Sequence, residues 1–119
     1  MTAAVVVLST AGSQDEAERL ATALVEERLA ACVNLVAPLT SIYRWRGGVE
    51  RATEVLLVIK TRRRLVSRLL ARLEALHSYE VPEAMAEEVE AALPGSRTVS
   101  AKGTPALDLR AGIVRQLHG

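Results

Sequence analysis

The stretch from Cys32 to Thr61 constrains this chain more than any other, because two long extended runs stand on either side of Arg46-Gly47-Gly48. The first ends in Ser41-Ile42-Tyr43-Arg44-Trp45, and the second is Val55-Leu56-Leu57-Val58-Ile59. Aromatic and β-branched side chains suit a pleated surface, and a Gly-Gly pair supplies the positive φ that a tight turn needs. The stretch predicts a long β-hairpin. Pro38 interrupts the first arm and cannot donate to a ladder, which predicts a bulge or an edge position there.

The rest of the chain is arranged around that hairpin. Ala3–Leu8 is a continuous apolar run, as expected of a central strand covered on both faces. Ser13-Gln14-Asp15-Glu16 matches a capping box, with Glu16 expected to reach back to the cap. Ala17, Leu20, Ala21, Leu24, Val25 and Leu29 follow at helical spacing, predicting an amphipathic helix over 14–29. Arg62-Arg63-Arg64 opens a second helix with Leu65, Val66, Leu69, Leu70, Leu73 and Leu76 on its apolar face. An extended segment is expected near Ala84–Val89, then loop over 91–105, then a short helix carrying Leu107, Leu109, Ile113, Val114 and Leu117. The order β-α-β-β-α-β around a central hairpin is the split βαβ, or ferredoxin-like, plan of an α+β domain, with a variable C-terminal tail. At 119 residues the chain reads as one domain, 1–119.

Composition removes several function classes. A net charge of +1 gives no general reason to expect nucleic acid or an anionic membrane as partner. The charge is nonetheless unevenly placed: residues 44–72 hold nine Arg/Lys against Glu50 and Glu54, and residues 74–90 hold six Glu and no Lys or Arg. A solvated or salt-bridged face explains the arginines better than a nucleic-acid surface. One cysteine forms no disulfide within the chain, the opening apolar run is too short for a signal segment, and no apolar run approaches 18 residues. The cytoplasm is the expected location. There is neither a P-loop nor a GxGxxG pattern.

Cys32, His77 and His118 are the only soft or imidazole metal ligands, and no two lie at i, i+3 or i+4. On pattern alone Cys32 reads more readily as a small buried hydrophobe, and His77 as a helix C-cap, than as metal ligands. A Cys32–His77 nucleophile pair has no motif behind it. The hairpin, with Tyr43 and Trp45 on a long apolar edge, calls for a covering neighbour, most simply another copy of the chain.

Val5-Val6-Val7-Leu8-Ser9-Thr10-Ala11, Ala31-Cys32-Val33-Asn34, Ser41-Ile42-Tyr43-Arg44-Trp45 with Gly47, Glu54, Ile59-Lys60-Thr61 and His77-Ser78-Tyr79-Glu80-Val81-Pro82-Glu83 together resemble the CutA family of divalent-cation tolerance proteins. The resemblance implies a ferredoxin-like subunit in a homotrimer and a link to copper and divalent-cation tolerance; a binding role without turnover is the leading reading of the chain. The resemblance places Cys32 and His77 on positions implicated in metal binding, and Tyr43, Trp45, Glu54, Lys60, Tyr79 and Glu83 on motifs lining the cleft between subunits; Glu80 and Glu83 are the carboxylates left to complete a metal set. Some members carry cysteine where this chain has Ser9 and Arg72, so any copper or zinc is expected to be weakly held rather than a tight cofactor. Glu87 and Glu88 intrude where the family continues as an apolar strand, and 87–119 reads as atypical. The competing implication is a signalling module resembling the PII type, binding an anionic metabolite or nucleotide in the cleft near Lys60. An enzyme using Cys32 and His77 trails both.

Overall fold

The computed structural model describes residues 3–94; the loop after 94 and the final helix expected of the tail lie outside them. Strand β1 (Ala4–Ala11) leads through helix α1 (Gln14–Glu26) to β2 (Cys32–Trp45), which turns into β3 (Gly48–Arg62). A single 3-10 turn, Arg63–Leu65, opens into α2 (Val66–Leu76), and β4 (Ala84–Glu88) follows. The four strands form one sheet in the order β2-β3-β1-β4, each neighbouring pair antiparallel. β3 therefore lies between β1 and β2, which α1 joins by a crossover. This is the ferredoxin-like plan read from the sequence.

The hairpin closes on Arg46 and Gly47, whose φ angles of 48° and 84° are both positive, while Gly48 already pairs with Trp45. Positive φ at both central positions is what a two-residue primed turn needs, and it falls on Arg-Gly rather than on the glycine pair. Pro38 sits on the edge strand behind a cis peptide bond, and the β2–β3 register shifts between Val36 and Leu39. Both alternatives anticipated for it hold. The shift adds one residue to β2, so the alternation of its side chains reverses beyond it. Cys32, Asn34 and Val36 pair with Lys60, Val58 and Leu56 before the bulge; Leu39, Ser41 and Tyr43 pair with Glu54, Ala52 and Glu50 after it.

The core lies between one sheet face and the two helices. Val5, Val7 and Ala11 of β1 and Val55, Leu57 and Ile59 of β3 pack with Leu20, Leu24, Leu69 and Leu73. The other face of β1 is open: Leu8 is 40% exposed, and Met85, its partner on β4, is 61% exposed. A strand covered on both faces is thus not what one chain makes, because both helices cross on the same side.

Helix α1 ends at Glu26 rather than Leu29, since Arg28 takes φ 60° and turns the chain into β2. Leu29 still reaches the core from the turn. The Ser13 hydroxyl accepts from the Glu16 amide at 3.1 Å, as a capping box requires. Glu16 does not reach back to the cap, however; its carboxylate is spent on Ser78, as described below. Arg62 is the last residue of β3 and is buried, and Arg63 and Arg64 lie in the 3-10 turn, so α2 starts after the arginines. Arg63 pairs with Glu88 at 2.6 Å and Arg72 with Glu27 at 2.8 Å, which gives the acidic residue at the end of β4 a place on an exposed edge.

Candidate functional site

The segment after α2 brings the polar residues together. His77 caps α2, and its imidazole is buried. Nε2 donates to the Thr10 carbonyl at 2.7 Å, and Nδ1 accepts from the Tyr79 amide at 3.1 Å. Both ring nitrogens are engaged, in the neutral tautomer that carries its proton on Nε2. Glu16 Oε2 lies 3.9 Å from Nδ1 and accepts from the Ser78 amide at 2.8 Å, while Oε1 takes the Gly12 amide at 3.4 Å. Burial pushes the Glu16 carboxyl upward, but the hydrogen bonds from Ser78 and Gly12 outweigh it and hold it below its ordinary value.

Tyr79 then passes over Gly12, where a Cβ would stand 3.1 Å from the phenolic oxygen and 3.3 Å from Cε1. Glycine at 12 makes this close approach possible. The hydroxyl donates to Glu54 Oε2 at 2.5 Å, and Glu54 is 8% exposed. Burial, followed by the bond to Glu54, raises the Tyr79 phenol well above its ordinary pKa.

A hollow of about 690 Å³ opens beside this pair, between the hairpin tip and the 79–83 segment. Thr10, Ser41–Trp45, Glu54, Tyr79, Glu80, Val81 and Glu83 line it. The bulge at Pro38 puts Tyr43 and Trp45 on the same sheet face as Glu54, because the reversed alternation aligns odd positions of β2 with even positions of β3. Three carboxylates meet one guanidinium, Arg44, in this lining. Arg46 stands 5.3 Å from the Trp45 ring centroid.

Of the residues anticipated from sequence, Tyr43, Trp45, Glu54, Tyr79, Glu80 and Glu83 share the hollow; Cys32, Lys60 and His77 do not. Cys32 pairs with Lys60, which pairs with Val6, whereas His77 binds Thr10. Four residues of strand separate those levels, about 13 Å. Cys32 and His77 are therefore apart within one chain, and burial raises the Cys32 thiol pKa against the opposing charge of Lys60. Among the described residues no three His, Cys, Asp or Glu side chains converge as a metal set. Glu16, Ser78 and Gly12 were missed by sequence reasoning; the only signal was a capping-box glutamate standing after a glycine.

The family described as CutA1 divalent ion tolerance protein matches residues 5–96. The chain belongs to the CutA family. The divalent-cation tolerance protein CutA of Thermus thermophilus is 54% identical over 81 residues, 68% of this CutA chain and 79% of its own length. The solved structure of the periplasmic divalent cation tolerance protein CutA from Archaeoglobus fulgidus is 35% identical, with a TM-score of 0.80 over 84% of this chain and 97% of that one. A Mycobacterium tuberculosis protein named purine nucleoside phosphorylase is 58% identical over 73 residues, but this chain covers only 29% of it. Other curated CutA relatives are likewise longer, this chain spanning 45–48% of them.

Proposed function

We propose that the protein works as a cytoplasmic homotrimer in divalent-cation tolerance, copper included, binding its cation weakly and without turnover. The observation that carries the trimer is the open sheet face. The sheet carries apolar residues on both sides, yet the helices cover only one, leaving Leu8 of β1, Val36 of β2 and Met85 of β4 exposed. Such a face is normally buried by a neighbour of the same chain. At micromolar concentration, light scattering is expected to give three times 12.8 kDa; a monomer would refute the trimer.

The donors within one chain do not form a closed coordination site. His77 has both nitrogens engaged, and Cys32 is distant from the hollow. Glu80 and Glu83 are exposed in the hollow, which suits hard divalent ions better than copper(I). Competition titration of wild type, Glu80→Gln/Glu83→Gln, His77→Ala and Cys32→Ser at two pH values tests the ligand set. Affinity of about micromolar or poorer, weakening at lower pH as protons compete, is the expected result. Tight binding retained in every variant would place the site elsewhere.

The separation of Cys32 from His77 and the raised thiol pKa argue against a Cys/His enzyme. An anionic ligand is poorly served by a hollow with three carboxylates, and Lys60 lies outside it. Arg63 and Arg72 are satisfied by Glu88 and Glu27, which speaks against a nucleic-acid surface. Among the described residues no helix is long and apolar enough to cross a membrane. A lone cysteine suits the reducing cytoplasm, although the Archaeoglobus relative is described as periplasmic.

A further inference from the structure

The two buried glutamates are treated differently by the fold. Glu16 has two backbone amides and a neighbouring imidazole. Glu54, equally buried, has one hydrogen bond, from the Tyr79 hydroxyl, and no cation within ion-pair distance among the described residues. Arg44, the one base in the lining, is exposed and does not pair with it. A carboxylate withdrawn from water is ordinarily matched by a positive group. Here, apart from the Tyr79 hydroxyl, it borders a hollow of about 690 Å³ rather than a cationic side chain.

Beyond an ion weakly held at the rim by Glu80 and Glu83, the hollow has room for an organic group. Metal sites need several donors converging at about 2.0–2.6 Å, and no such set exists among the described residues. The hollow falls within the usual size range of small-molecule sites, about 300–1,000 Å³. Tyr43 and Trp45 stand on the same sheet face as Glu54, and aromatic faces attract ammonium and guanidinium groups. We propose that the hollow seats an organic cation whose charged nitrogen meets Glu54 as counter-charge, with Tyr43 and Trp45 in the wall further along the hairpin. The nitrogen comes either from a free amine or from a basic side chain of a second copy. Glu80 and Glu83 add negative potential at the rim.

Trp45 is the only tryptophan in the chain, so its fluorescence reports on the hollow directly. The full chain is titrated with spermidine and agmatine at constant ionic strength, with 1-butanol as neutral control, in wild type and Glu54→Gln. Glu54→Gln keeps the shape and an acceptor for Tyr79; circular dichroism checks its fold. For a free amine, the wild type gives a saturable change that butanol does not, weakened at least about tenfold in the variant, as loss of one charge-assisted contact implies. For a neighbour's side chain, amines have no effect, but Glu54→Gln lowers the mass in light scattering while Glu54→Asp keeps it. An equal response in Glu54→Gln or to butanol overturns the proposal. So does an absent amine response accompanied by an unchanged mass or by a variant that does not fold. Metal titration of the carboxylate and His77 variants is a separate measurement, so either reading can fail alone.

Discussion

Replacing Glu16 by alanine should cost stability far beyond what a first-turn helix glutamate usually contributes. The side chain is 6% exposed, and its carboxylate joins three segments: α1, Gly12 after β1, and Ser78 after α2. The 2.8 Å bond from Ser78 is charge-assisted and buried, worth about 1.5–3 kcal/mol. The longer contact from Gly12 adds about 0.5 kcal/mol. Favourable placement in the first turn contributes about 0.3–1 kcal/mol. Glu16→Ala is thus expected to lose about 3 kcal/mol, a large fraction of the roughly 5–15 kcal/mol that holds a domain together. Glu16→Gln, which keeps a neutral acceptor, should lose about half of that. The folded-state pKa of Glu16 lies below its ordinary value of 4.5, so its contribution is complete above that value. It should fade as pH falls through the lower, folded-state value. Urea denaturation at fixed protomer concentration, from pH 7 down to pH 3, measures both effects through the midpoint at constant slope. A loss below about 1 kcal/mol in Glu16→Ala would refute the reasoning. Identical acid dependence in wild type and Glu16→Gln would do so too.

Gly12→Ala should displace the Tyr79 ring and destabilise by about 1–3 kcal/mol, the usual cost of overpacking, with the phenol resonances of Tyr79 shifted in NMR spectra. An unchanged midpoint and spectrum would show that the ring gives way freely. Ultraviolet titration should find one of the two tyrosines ionising well above pH 10, and that step should vanish in Tyr79→Phe. Because the folded-state pKa is raised, the corresponding stability is present below the ordinary value and is lost as pH rises; two normal tyrosine steps would contradict the Tyr79–Glu54 bond.

Local chemistry carried most of the fold into view. Turn glycines, the apolar periodicity of α1 and α2, and the missing amide hydrogen of Pro38 all act within a few residues of themselves. The failures are long-range. Glu16 obeys a local capping rule in sequence but meets Ser78, 62 residues away, and no periodicity encodes that partner. Arg62 reads as a helix opener because it adjoins two further arginines, whereas register with Ala4 keeps it in β3. The open face of β1 was equally hidden, since an apolar run says that both sides need cover without saying which chain provides it. Within the site, Tyr43, Trp45, Glu54 and Tyr79 were assembled by family resemblance, and their convergence in one hollow depends on a bulge whose effect on side-chain alternation was not drawn from Pro38 alone.

That bulge makes the residue count between Val36 and Leu39 a kind of reading frame for the hairpin tip. Closing the bulge with no residue removed, so that Pro38 rather than Leu39 met Glu54, would leave the composition intact and slip each tip pair by one. It would nonetheless turn Ile42 and Arg44 toward the face where Tyr43 and Trp45 now stand, trading two aromatic rings for an aliphatic chain and a guanidinium beside Glu54. The charge on the face of the buried carboxylate would become less negative while every residue from 39 to 45 kept its identity. Two relatives could share all the tip residues and still differ in what the tip presents, if one keeps the bulge at the proline and the other pairs straight through it.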